Sequence, residues 1–396
     1  MIYLTSVKSL PVRIAFVLSV MAVNAPAQAT FEGRPAVLLS NDKLSLTILA
    51  QGAGFAELML KDSPQLPSPL WNPSRMNTEL GRTAPFNPGT GHFLCLDGFG
   101  PVSTDERAAG LPGHGEAHLR TFDIHPSRQG NASVVTMSAK LPIVQEQITR
   151  TMRIVDGENV VYVDSVLENL MGFDRPVNWA EHATVGSPFV ESGVTVFDLS
   201  GSRSQTRPYL DGNPDNPNPN PSRRRLPKGK DFSWPIAPGL DGGTVDMRQT
   251  PSSPHYLDHT TTLLDPARKL EWITALNPKL HLVMGYVFRR EEYPWLQTWG
   301  NYPATGKFSR GMEFSTQPYD VPRREAISAG TMFGAPTYRW LPAKGKLESH
   351  YLFFYAHVPD AFTRIDEVRI ENGQIVVESS GKKLALAASL AATLDK

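Results

Sequence analysis

The chain has 396 residues, with 39 basic and 39 acidic side chains and a single cysteine, Cys95. Zero formal charge removes any global electrostatic reason to bind nucleic acid or anionic lipid. One cysteine supplies neither an intramolecular disulfide nor a cysteine-based zinc site. The 34 prolines and 31 glycines, about one residue in six, interrupt helices too often for a bundle and suit many short strands joined by turns.

The first 29 residues read as an export signal. Lys8 and Arg13 precede an apolar run from Ile14 to Val23, and small residues follow to Ala27-Gln28-Ala29. Ten apolar residues are too few to cross a bilayer comfortably, and no later stretch is long enough. The expectation is cleavage before Thr30, one domain over residues 30–396, and a periplasmic or secreted location.

Alternation of apolar and polar residues marks Leu44–Ile48 as a half-buried strand, and Gly52-Ala53-Gly54 turns the chain into a second, Phe55–Leu60. Further strands are expected at Ser133–Lys140, Glu146–Val155, Val160–Leu167, Thr260–Leu264, Leu270–Leu276, Leu280–Phe288 and Leu347–His357. Asp156-Gly157 and Asn372-Gly373 lie between β-branched runs and signal hairpins, because their positive φ suits tight turns. Leu384 to Leu394 is the one stretch with helical periodicity. Residues 211–230, DGNPDNPNPNPSRRRLPKGK, form a Pro- and Arg-rich insertion, read as a solvated loop.

Three constellations could carry chemistry. In the first, glycines flank His114 (Gly110-Leu-Pro-Gly-His114-Gly115-Glu116-Ala-His118), which keeps its ring accessible, as an ordinary turn also would. The second holds Glu181-His182. On a strand these neighbours face opposite ways, and a histidine can donate a proton near neutral pH. The third is Arg310-Gly-Met-Glu313-Phe-Ser-Thr-Gln317-Pro-Tyr-Asp320, with a glutamate on a strand beside a glycine. Asp258-His259 is a weaker candidate. Trp295, Trp299 and Tyr302 offer flat faces for a sugar ring, or buried core. No metal-ligand spacing, P-loop, dinucleotide fingerprint or Gly-x-Ser-x-Gly is present.

The order of these segments resembles the aldose 1-epimerases, the galactose mutarotase-like proteins. The resemblance rests on the opening hairpin, on Gly91-His-Phe-Leu-Cys-Leu-Asp97 leading to His114-Gly115-Glu116-Ala117, on His182, and on Arg310-Gly-Met-Glu313 with Thr316-Gln317-Pro-Tyr-Asp320. Two departures stand out. Ala183-Thr184 follows His182 where the better-known members have Pro-Tyr-Phe, and Phe314-Ser315 intervene between Glu313 and Thr316-Gln317. The resemblance implies an all-β fold, a large antiparallel β-sandwich, and interconversion of the α and β anomers of a hexose. In that reading Glu313 is the base and His182 the acid, both near their ordinary protonation states. His114, Asp258, Trp299 and Gln317 bind the sugar, and no metal or cofactor is needed. A secreted sugar-binding protein without catalysis, or a glycan lyase or hydrolase, would fit the same fold.

Overall fold

Alternation along the strands decides which side chains enter the core. In Glu146–Val155, Ile148, Met152 and Ile154 point one way into a shared apolar core, while Gln147, Thr149 and Thr151 stay partly solvated. A computed structural model describes residues 27–208 and 224–395. Most of the expected export signal, and residues 211–223 of the insertion, therefore lie outside the described residues.

Two large sheets face each other. The first, of 14 strands, begins at Ala27–Phe31 and passes through Arg34–Ser40, Leu44–Leu49, Phe55–Leu60, His92–Leu96 and Trp179–Gly186. It continues through Ser309–Gly311, Trp295–Tyr302, His255–Leu264 and Gly201–Thr206 to three short strands. Glu313–Ser315 pairs with both Trp179–Gly186 and Trp295–Tyr302. The second, of 8 strands, runs Val196–Leu199, Leu270–Asn277, Leu282–Arg289, Lys346–His357, Val160–Asn169, Glu146–Val155, Ala132–Leu141, Asp123–Gln129. These two sheets enclose a core that includes Leu46, Phe55, Leu94, Val163, Met284 and Phe353. A sandwich of this size removes enough apolar surface from water to stand without a disulfide.

A third, three-stranded sheet (Glu367–Glu371, Gln374–Ser379, Lys382–Ala387) covers part of the outer face of the eight-stranded sheet. Val368, Ile375, Val377 and Leu386 pack there with Val134, Trp272, Val283 and Phe354. The Asn372-Gly373 hairpin turns as expected, both residues having positive φ. Asp156-Gly157 also lies in a hairpin, within a four-residue connection to Val160–Asn169.

The helix expected over Leu384–Leu394 is not formed. Its first part continues the strand Lys382–Ala387, with Leu384 and Leu386 opposite Val377 and Ile375, and only Ala391–Asp395 makes a short 3-10 turn. Tertiary pairing overrides the local helix preference of an Ala- and Leu-rich run. The described end of the insertion is also more than a solvated loop. Leu226 is buried against Ala237 and Met247, and Arg225 clamps Asp258.

Candidate active site

The strand Trp179–Gly186 lies between His92–Leu96 and the Ser309–Ser315 segment, so it has partners on both edges. Its alternation sends Glu181 and His182 to opposite faces, as expected. Glu181 points into the core between the sheets. There its carboxylate meets His92 at 2.8 Å, Arg150 at 2.9 Å, the Tyr351 hydroxyl at 3.0 Å and the Trp179 indole N–H at 3.2 Å. Arg150 falls on the apolar face of its own strand and needs this partner. The cation and three further hydrogen-bond partners outweigh burial and hold the Glu181 carboxyl down to about 2.

His182 points the other way, into an open cleft of about 500 Å³. Phe93, its cross-strand neighbour, stacks on the ring at 4.3 Å between centroids and 23° between planes. On the other edge the pairs Ala180↔Ser315 and Thr184↔Gly311 bracket His182 and Glu313. Both side chains emerge into the cleft, with His182 Nε2 3.6 Å from Glu313 Oε1. That separation exceeds a hydrogen bond, and Glu313 Oε1 has no hydrogen-bond partner. Thr184 Oγ1 lies 3.2 Å from His182 Nδ1. A proton placed on Nδ1 toward this hydroxyl leaves Nε2 as the lone pair facing the glutamate.

His114 arrives from a loop. The Gly100 N–H donates to His114 Nδ1 at 3.3 Å, and the His114 N–H donates to the Gly100 carbonyl at 2.9 Å. With Nδ1 accepting, Nε2 carries the proton and is a donor. Both His114 and Gly115 have positive φ, and a Cβ at Gly115 would sit 1.7 Å from the Leu96 carbonyl oxygen. The glycine after His114 is thus set by the close approach of two backbones.

Burial shifts the protonation of the site. It pushes His114 down to about 4 and His118 down to about 3, and His182 well below its ordinary value, with His114 adding to the effect. Glu313 moves the other way, well above the usual carboxylate range, because burial and then the nearby Asp320 disfavour its charge. The expectation of an ionised Glu313 beside a partly protonated His182 is therefore corrected. Enclosure penalises the charged form of both groups, which favours the neutral carboxyl beside the neutral imidazole.

Of the other expected residues, Trp299 lines the cleft and meets Trp71 edge-on at 6.1 Å. Trp295 and Tyr302 are buried in the core. Asp258 does not line the cleft. Strand alternation turns it away, and its carboxylate takes the Arg225 guanidinium, with Nε at 2.9 and 3.1 Å from its two oxygens. Gln317 is fully buried and its amide donates to the backbone carbonyls of Phe99 and Tyr319, which shapes the wall instead of facing a ligand. His118, His259, Asp320, Trp71, Phe93 and Phe99 line the cleft without having been assigned from sequence. His118 and Asp320 sat inside the marked constellations, His259 in the weaker Asp258-His259 candidate, and Phe93 in the Gly91–Asp97 segment that carries the resemblance. For Trp71 and Phe99 no sequence signal existed.

No protein-family model matches the chain, and no curated protein matches it. Solved structures do. A galactose mutarotase-like protein from Clostridium acetobutylicum shares 11% identity over 84% of this chain and 98% of its own, with a TM-score of 0.57. A candidate aldose 1-epimerase from Klebsiella pneumoniae shares 15% over 83% and 80%, also at 0.57. A galactose mutarotase related enzyme from Lactobacillus acidophilus shares 11% over 85% and 100%, at 0.53. The chain has the galactose mutarotase-like fold, a large antiparallel β-sandwich.

Proposed function

We propose that this protein interconverts the α and β anomers of a hexose, as an aldose 1-epimerase does. The observation that carries the reading is the His182–Glu313 pair, 3.6 Å apart in an open cleft with aromatic walls. Mutarotation needs one group to take the proton of the anomeric hydroxyl and another to protonate the ring oxygen. A pair holding one proton between them meets this need. Neutral His182 accepts at Nε2 while the Glu313 carboxyl gives its proton to the ring oxygen, and the bond from the anomeric carbon to that oxygen breaks. The aldehyde then turns about its bond to the next carbon, and the ring closes with each proton returned. His114 Nε2–H supplies a fixed donor to a sugar oxygen, and Trp71 and Trp299 supply apolar faces.

Freshly dissolved α-glucose or α-galactose, followed by polarimetry, tests the reading. Glu313→Gln should lower kcat by about 10²–10⁴-fold, the range typical of a lost acid–base group. An unchanged rate in that variant would remove Glu313 from the mechanism. Tight sugar binding by the native protein with no acceleration would favour a binding protein on the same fold.

The export signal belongs to the same reading. Cleavage before Thr30 would leave Thr30 and Phe31 of the edge strand Ala27–Phe31 still opposite Pro35 and Arg34. N-terminal sequencing of protein from the periplasm or medium checks this. A chain retained in the cytoplasm with its first residues intact would refute it.

A further inference from the structure

The cleft is larger than one reacting sugar needs. Its volume is about 500 Å³. A hexose fills roughly 200 Å³, on a scale where a water in the liquid takes ~30 Å³. The sheet register places the surplus. His182 and Glu313 sit in one row across the strands, with Phe93 on one side and Gln297 on the other. Two residues along, the next row on the same face holds the pair Thr184↔Gly311. Trp299 belongs to this second row, because Gly300↔Arg310 and Gln297↔Glu313 bracket Trp299 and Gly311. Rows on one face of a strand are about 6.6 Å apart, close to the width of a sugar ring.

Glycines make room in and beyond the second row. The Glu313 carboxyl leans over Gly311, which has no side chain to stop it, and so toward that row. Trp71 closes the end. Its N–H donates to the Thr184 carbonyl at 2.9 Å, and its carbonyl accepts from the Gly91 N–H at 2.8 Å. A Cβ at Gly186, the next position on that face, would lie 2.8 Å from Trp71 Cδ1, so the glycine gives the indole its seat. Trp71 and Trp299 meet edge-on, 6.1 Å between centroids and 62° between planes. Both line the cleft and neither is fully buried. Two indoles held by the strands thus form an apolar corner one row from the acid. The C–H faces of a pyranose are apolar and suit such rings, while its hydroxyls stay in water.

We propose, resting on the sugar reading above, that Trp71 and Trp299 form a second sugar subsite, and that the substrate is the reducing end of a disaccharide or longer chain. The reacting hexose lies over His182 and Glu313, and the ring linked to it lies on the indoles. The anomeric hydroxyl must stay free to react, so the second ring is joined through another oxygen of the first.

Polarimetry on freshly dissolved α-glucose, α-lactose and β-maltose compares three substrates whose reacting ring is the same glucose. Native kcat/KM, corrected for uncatalysed mutarotation, should be about tenfold higher for the two disaccharides, the size of effect that aromatic stacking carries. Trp299→Ala should remove most of this preference, lowering the disaccharides about fivefold more than glucose and chiefly through KM. Trp71→Ala should act likewise. Trp299→Phe keeps a smaller ring and should keep part of the preference, which gives a readout even if the alanine variant does not fold. Thermal melts establish folding in each case. Binding is read separately, as the change in tryptophan fluorescence when glucose or maltose is added to Glu313→Gln.

Equal kcat/KM for glucose and the disaccharides would overturn the subsite and leave the reaction standing. A disaccharide preference that survives in both alanine variants would also overturn it. Tighter binding of maltose than of glucose, with no anomer exchange by the native chain, would overturn the reaction and leave the subsite. No response to any of the three sugars would overturn both.

Discussion

Glu313 curls its carboxylate back over Gly311, so that a Cβ at Gly311 would lie 1.9 Å from Glu313 Oε1. The glycine is required by its neighbour's side chain, because its own backbone is not in the left-handed region. Gly311→Ala should therefore leave the protein folded while forcing the carboxyl away from His182. A displacement of roughly 1 Å at a reacting group costs about 10²-fold in rate. Polarimetric kcat together with a thermal melt checks this. Full activity in Gly311→Ala would show that the observed Glu313 rotamer is not the working one.

The pH dependence follows from opposite shifts at the two reacting groups. Burial lowers His182 and raises Glu313, so the one-proton state of the pair persists between those two values. Activity should fall on the acid side only well below the ordinary histidine value, as His182 gains a proton. It should fall on the alkaline side as Glu313 loses one. Profiles of kcat/KM, corrected for uncatalysed mutarotation, report these limbs. An acid limb near the ordinary histidine pKa of about 6.5 would contradict the enclosure of His182.

The core network makes a separate stability prediction. Glu181 is fully buried and its carboxyl is held down to about 2 by burial set against Arg150 and its other partners. A carboxyl whose folded value is depressed contributes stability above its unfolded value, here 4.5. That contribution is lost as pH falls toward about 2. Arg150→Met removes the cation from the buried glutamate, and should cost about 3–5 kcal/mol at neutral pH. Urea melts at pH 7 and at pH 4 would measure both effects. The variant should lose less stability on acidification than the native chain does.

Asp258 provides a control for the site assignment. Its carboxylate binds Arg225 and it does not line the cleft, so Asp258→Ala should cost stability, by about 1–3 kcal/mol. The sugar KM should stay near the native value. A large rise in KM with an unchanged melting temperature would return Asp258 to the ligand.

Strand positions were legible because alternation and turn chemistry are local. Phe55–Leu60 and Glu146–Val155 fall where their periodicity and flanking turns put them. Phase was harder. In Asp258-His259 one residue faces the cleft and its neighbour faces away, and only the pairing partners decide which. The sequence reading favoured the aspartate, but the register turns the histidine inward. Protonation was not legible either. A glutamate and a histidine in a sequence carry their ordinary values, and enclosure by Phe93, Phe99 and the other rings appears only when distant segments meet. Gln317 was misread because a conspicuous polar residue beside the Glu313–Ser315 strand can equally well hold up a wall.

The three-stranded sheet after residue 366 has a consequence for how the chain matures. Trp272, Val283, Leu352 and Phe354 are covered on the outer face of the eight-stranded sheet by strands that leave the ribosome after it. Until those strands dock, a wide apolar surface stays wet and open to other chains. Premature termination near residue 366 would spare every residue of the cleft and still yield an aggregation-prone product. The candidate site thus depends, for its solubility, on a segment that never touches it.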